Sequence, residues 1–81
     1  MNSTIISRRQ VYAFLYRQRV ENPRSYFGRE DLLNFAAPNQ LEAALAFGLE
    51  MGHLERYRKH YFRLTAVGML FTEQQGWVED D

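Results

Sequence analysis

The sequence predicts a mainly helical α+β domain with three helices, a two-stranded β-hairpin and a C-terminal helix. Apolar residues recur at helical spacing over residues 8–21, 29–36 and 39–51. After Gly52 the pattern changes to alternating aromatic and charged residues, which is typical of strands. Helical spacing returns after Thr65, so a last helix follows the hairpin.

The chain length and composition predict one small globular domain. The 81 residues divide into an N-terminal arm (1–6), a folded domain (7–76) and a tail (77–81) that is first apolar and then acidic. No cysteine is present, which excludes disulfides and cysteine-ligated metal sites. No apolar run approaches the roughly 20 residues that span a bilayer. We therefore expect a cytoplasmic protein with no membrane association.

The first helix has local start signals. Ser7 and Gln10 have the spacing of a capping box, which predicts a start near Arg8, and Asn22-Pro23 predicts the end. Arg8 and the next residue, Arg9, would then lie in the first turn, where the helix dipole disfavours cations. The predicted apolar face consists of Val11, Tyr12, Phe14 and Leu15.

The next two helices are predicted to be separated by a tight turn at Ala37-Pro38. The second covers residues 29–36, with Leu32, Leu33 and Phe35 facing inward. Asn39 and Glu42 predict a capping box for the third helix, and Gly52 predicts its end. The inward face of the third helix is predicted to be Leu41, Ala44, Leu45, Gly48 and Met51.

The hairpin is predicted from two strands, 53–58 and 61–65, which are joined by Lys59-His60. Thr65 can cap a last helix over residues 66–75. The face of that helix is predicted to be Val67, Leu70, Phe71 and Gln74.

Two segments carry a resemblance to a known family. Met-Gly-His-Leu at 51–54, with Leu41 and Leu45 before it, resembles the exit of a third helix into a wing. Tyr-Phe-Arg-Leu-Thr-Ala-Val-Gly at 61–68 resembles the aromatic-x-Leu-Thr-x-x-Gly signature of the strand that follows. With the order of elements, these segments resemble the winged helix-turn-helix superfamily, and around the wing the MarR and PadR type of bacterial regulator.

The resemblance implies a protein that binds double-stranded DNA, with the third helix in the major groove and the hairpin, or wing, along phosphates or a minor groove. The groove-facing residues it implies are Asn39, Gln40, Glu42, Ala43 and Ala46. The wing residues it implies are Arg56, Arg58, Lys59, His60 and Arg63.

Charge patterning agrees with a basic wing but leaves alternatives open. The net charge is zero, yet residues 55–63 carry four Lys or Arg against one acid. Such bases can contact phosphates, with Arg8 and Arg9 as a second basic segment, or can protect an edge strand from aggregation. Asn39 and Gln40 can read adenine, or can serve only as the polar start of a helix.

The third helix also fits a second hypothesis, a protein–protein interaction module. Residues 39–52 contain no Lys or Arg and carry Glu42 and Glu50, which phosphates would repel. Phe47 would point partly away from the core and offer a surface to a protein partner. Trp77 and Val78 add apolar surface near the last helix, and a homodimer would cover it.

The sequence shows no catalytic or metal-binding pattern. His53 and His60 have no carboxylate at metal-ligand spacing, and no glycine-rich loop precedes a Lys and Ser/Thr. We therefore expect no enzyme activity and no cofactor. The first hypothesis is a transcriptional regulator that binds DNA through its wing.

Overall fold

The computed structural model describes residues 3–78, and the acidic end of the predicted tail, residues 79–81, lies outside them. Within this range the chain forms four helices and three short strands. In order they are α1 (Ser3–Glu21), β1 (Phe27–Gly28), α2 (Arg29–Leu32), α3 (Pro38–Glu50), β2 (Leu54–Tyr57), β3 (Tyr61–Leu64) and α4 (Ala66–Gln74).

Helix α1 starts earlier than predicted. It begins at Ser3, so residues 3–6, assigned to an arm, are helical. Ser7 is buried within the helix and does not cap it, because its Oγ donates a 2.6 Å hydrogen bond to Oε1 of Gln40 on α3. The expected buried face is confirmed for Val11, Tyr12 and Leu15.

Helix α2 is shorter than predicted. It starts at Arg29 as expected but ends at Leu32, and residues 33–36 form a turn. Leu32 is fully buried, whereas Leu33 is 45% exposed, so the inward placement of Leu33 was wrong. Leu33 follows Leu32 directly with helical backbone angles, so a rotation of about 100° per residue turns its side chain away from the buried face.

Helix α3 begins one residue before the predicted cap. Pro38 occupies its first turn, where the missing N–H costs nothing, and Ala37 is the N-cap without a side-chain hydrogen bond. The capping box of Asn39 and Glu42 was therefore wrong. Met51, 54% exposed, lies beyond the last turn rather than in the core. The rest of the inward face is confirmed: Leu41, Ala44, Leu45 and Gly48.

The sheet has one strand more than predicted. Its order is β1-β3-β2 and both pairings are antiparallel. The hairpin of β2 and β3 is confirmed, with Tyr57 opposite Tyr61 as its last pair, so its turn is residues 58–60. Strand β1 is too short to give a sequence pattern, and its two residues, Phe27 and Gly28, pair with Phe62 and Tyr61.

Helix α4 is anchored by close backbone contact. Thr65 caps it as predicted, since its Oγ1 accepts from the N–H of Gly68 at 3.0 Å. Gly68 and Thr72 form the buried face. The predicted face was wrong for Val67 and Leu70, which are 57% and 54% exposed, and for Gln74, which is exposed. Phe71, from the same predicted face, packs against the core.

The core lies between α1, α3 and the inner side of the sheet. Its fully buried members include Tyr12, Leu15, Leu41, Phe62 and Leu64. An aromatic group then closes the end of the core near α4. Phe71 packs against His53, Tyr12 and Trp77 in this group.

Candidate nucleic-acid interface

The end of the hairpin brings together four of the predicted wing residues. Arg56, Arg58, Lys59 and His60 are exposed there, at the end of β2 and in the turn. Arg58 has a φ of 56°, the left-handed conformation that turns the chain between the strands. Within residues 3–78, the side chains of Arg56 and Lys59 form no ion pair. The result is a cationic tip that is not neutralised by the rest of the described fold.

Arg63 has a different environment from the tip. Its Nε and Nη2 donate to Oε2 of Glu55 at 2.9 and 2.5 Å, and its Nη1 donates to the carbonyl oxygen of Pro23 at 2.7 Å. Its guanidinium also lies 4.6 Å from the ring centroid of Tyr26. Arg63 therefore ties β3 to β2 and to the loop before β1.

Arg29 was not singled out by the sequence, and it links three elements at this site. Its Nε and Nη2 donate to the two carboxylate oxygens of Glu42 on α3 at 2.6 and 3.2 Å. Its Nη1 donates to the carbonyl oxygen of Lys59 at 3.3 Å and lies 3.5 Å from Nδ1 of His60. The sequence held no signal for this contact, because the partners come from distant segments.

The Arg29 ion pair changes the electrostatics of α3. The hydrogen bonds from Arg29 lower the pKa of Glu42, and the same bonds raise the pKa of Arg29. Glu42 therefore stays ionised, and the adjacent positive charge of Arg29 balances its negative charge. The repulsion of phosphates that its charge would cause is reduced by a neighbouring cation.

The solvent-facing side of α3 carries small and polar residues. Asn39, Glu42, Ala43, Ala46 and Glu50 are exposed. Gln40 is half-buried, and its Oε1 accepts the bond from Ser7 of α1. Of the two predicted base-reading side chains, only Asn39 is exposed.

Arg8 and Arg9 lie against other elements than the hairpin tip. The Arg8 guanidinium lies 3.6 Å from the ring centroid of Phe47 on α3, and its buried Nε has no hydrogen-bond partner among the described residues. Arg9 is exposed and lines a cleft of about 400 Å³ with Phe14, Phe35 and Trp77. The contacts of the two arginines are therefore with α3 and with the C-terminal segment.

The predicted protein-contact residues are half-buried. Phe47 packs against His53 and Phe71 beneath Arg8. Trp77 packs against Tyr12 and Phe71, and the neighbouring Val78 is half-buried too. Val67 and Leu70 on α4 are more exposed than these three predicted contact residues.

His53 is a buried titratable group that packs against Phe47 and Phe71. It is 3% exposed, and its Nδ1 lies 2.8 Å from the hydroxyl oxygen of Tyr12, with which it forms a hydrogen bond. Burial, and next the charge of Arg8, lower the pKa of His53. Burial raises the pKa of the Tyr12 hydroxyl, so both groups stay neutral around neutral pH.

We expect stability to fall as the pH drops below the ordinary histidine pKa of about 6.5. The unfolded chain then takes up a proton at residue 53 that the folded chain resists, so stability is lost with a slope of at most about 1.4 kcal/mol per pH unit. Urea unfolding of the native protein and of His53→Gln across this range tests the effect. An equal slope in the variant would contradict it.

Neither a metal centre nor a membrane span is found in the part of the chain that the structure describes. No group of three or more His, Cys, Asp or Glu side chains in residues 3–78 is placed to hold a metal ion. In the same range no helix has the length and apolar character needed to cross a membrane.

No protein-family model, curated protein or solved structure matches this chain.

Proposed function

We propose that this chain is a small winged-helix protein that binds double-stranded DNA and regulates transcription. The observation that carries the proposal is the cationic tip of the hairpin. Arg56 and Lys59 are exposed there and unpaired within residues 3–78, beside Arg58 and His60. Phosphates are the partners that such a cluster attracts most strongly.

The arrangement of elements supports the same proposal. A helix, a short turn and a second helix (α2 and α3) precede a hairpin that projects from a three-stranded sheet. This order is the one the winged-helix resemblance implies. Arg29 fixes the tip to α3 through Lys59 and Glu42, so a groove-seated helix and a phosphate-bound hairpin would act as one surface.

The test is duplex binding measured by fluorescence anisotropy at about 50 and 200 mM salt, a range over which several phosphate contacts weaken binding by orders of magnitude. The double variant of Arg56→Ala with Lys59→Ala should bind more weakly. The slope of log affinity against log salt should fall by about 1.8, the contribution of two phosphate contacts.

The matched control is the double variant of Arg17→Ala with Arg24→Ala. It removes the same charge from two exposed arginines outside the hairpin. It should retain most of the native slope. Equal slopes in the two double variants would mean that bulk charge, and not the hairpin tip, accounts for the binding.

A second proposal is favoured by the exposed side of α3. Ala43 and Ala46 lie there between Glu42 and Glu50, and the helix carries no cation. Such a face suits a protein–protein interaction module better than it suits phosphates. Absence of duplex binding at the lower salt concentration would make a protein partner of α3 the better proposal.

We further propose that a second copy of the chain covers α4 in the DNA-binding form. Val67 and Leu70 are more than half exposed on that helix. A regulator that works as a homodimer would bury such a face. The molecular mass by light scattering distinguishes a dimer from a monomer.

A further inference from the structure

The side of the sheet that faces away from the core is rich in aromatic and cationic residues. Gly28 pairs with Tyr61, and Tyr61 pairs with Tyr57, so these three residues form one row across the strands. Phe62 alternates to the core side and is fully buried. We define the outer sheet face as Tyr26, Glu55, Tyr57, Arg58, Tyr61 and Arg63.

Glycine at position 28 allows one ring of this face to lie close to the backbone. A Cβ atom at Gly28 would be 3.3 Å from Cε1 of Tyr61. This contact is tighter than ordinary van der Waals packing. The Tyr61 ring therefore lies low over β1 at Gly28.

The rings of Tyr57 and Tyr61 are accessible to a ligand. These residues are 48% and 46% exposed. The Tyr57 ring is supported by the Tyr26 ring, with centroids 5.2 Å apart and planes 31° apart. Arg58 places its guanidinium 5.3 Å from the Tyr57 centroid. The Tyr57 ring thus contacts both Tyr26 and Arg58, while about half of the residue remains exposed to solvent.

The charge of the outer sheet face is positive. Its carboxylate, on Glu55, is paired with Arg63, which leaves Arg58 uncompensated there. Lys59 follows at the tip, whereas Arg56 pairs with Phe62 and lies on the other side of the sheet. Accessible aromatic rings beside uncompensated cations are the features by which proteins hold a single nucleic-acid strand, since rings stack on bases and cations contact phosphates.

We infer that the outer sheet face binds an unpaired nucleic-acid strand by stacking bases on Tyr57 and Tyr61. The inference rests on the proposed function, because the hairpin tip that contacts duplex phosphates also contacts the phosphates of the single strand. Cross-strand packing alone explains why Tyr57 lies opposite Tyr61. It does not explain the cation beside the half-exposed ring of Tyr57.

The test is binding of a labelled thymidine oligomer of about 12 nucleotides, within the length that small single-strand-binding folds contact. Tyr57→Ala and Tyr61→Ala should each weaken binding by about 5- to 150-fold, the range for loss of one stacked base. Tyr57→Phe and Tyr61→Phe keep the ring and should bind as the native protein does. Equal losses in the Phe and Ala variants, or none in either, would overturn the inference.

A second measurement avoids the risk that the Ala variants distort the hairpin. The native protein is irradiated with an oligomer that carries 5-iodo-deoxyuridine, whose base crosslinks to an aromatic ring stacked on it. Crosslinks at Tyr57 or Tyr61 support the inference. Crosslinks confined to other residues contradict it.

The two proposals fail separately in these experiments. Duplex binding that depends on Arg56 and Lys59, without binding of the thymidine oligomer, would overturn the inference and leave the proposed function standing. Tyrosine-dependent oligomer binding without duplex binding would support the inference and reject the proposed function. A uridine oligomer that binds more tightly than the thymidine oligomer, with the same tyrosine dependence, would support the inference with RNA as the source of the strand.

Discussion

Gly68→Ala is expected to destabilise the protein strongly. A Cβ at this position would lie 2.1 Å from the carbonyl oxygen and 2.9 Å from the carbonyl carbon of His53. These are backbone atoms, and the same oxygen accepts a 2.8 Å hydrogen bond from the N–H of Thr65. Helix α4 can move away only by losing contacts that fix its start. We expect a loss of about 3 kcal/mol or more in the free energy of unfolding.

The measurement is urea unfolding followed by circular dichroism, with Gly52→Ala as the matched control. Gly52 has a φ of 75° but no atom within 4 Å of an added Cβ. Its substitution should therefore cost only the backbone strain of about 1–2 kcal/mol. A domain of this size has about 4–12 kcal/mol of stability in total, so the two variants are separable. Similar losses would show that the contact with His53 relaxes freely.

Phe62→Ala is expected to have the second large effect. Phe62 is fully buried in the central strand, where it pairs with Phe27 on one side and with Arg56 on the other. Truncation removes a large apolar side chain and leaves a cavity that strands held on both sides cannot close. Such changes cost about 3–5 kcal/mol.

The control for this prediction is Phe35→Ala. Phe35 is also an aromatic residue packed on the core, but it is half-buried and stacks on Phe14 at a centroid distance of 4.7 Å. Its truncation leaves a depression open to water and not a closed cavity. The loss in the free energy of unfolding should therefore be clearly smaller than for Phe62→Ala. Urea midpoints that shift equally in the two variants would contradict the expectation that full burial makes Phe62 the more costly truncation.

Local patterns in the sequence were sufficient to predict the presence and order of the hairpin and the helices, but not all of their bounds. The alternating residues after Gly52, the cap at Thr65 and the inward face of α3 each depend on neighbours in the chain. Start signals were less reliable. Ser7 has the spacing of a cap, yet its hydroxyl has a tertiary partner in Gln40, which no local pattern encodes.

In the candidate site, too, the sequence indicated the residues that are neighbours in the chain and missed those brought together by the fold. The cluster of Arg56, Arg58 and Lys59 was visible because its members are neighbours in the sequence. Arg29 was missed because its partners lie on α3 and in the hairpin turn. The outer sheet face was also not predicted, since the contact of Tyr26 with Tyr57 depends on β1, the strand that the sequence pattern did not indicate.

The strand order has a consequence for folding during synthesis. Strand β3 lies in the middle of the sheet although it is the last of the three to be made. The whole of α2, α3 and β2 therefore leaves the ribosome before Phe27 can meet Phe62. Until then, α1 displays Val11, Tyr12 and Leu15 without the strand that covers them. At about 5–20 residues per second this exposure lasts for seconds, and it is the interval in which the nascent chain is most open to aggregation or to a chaperone.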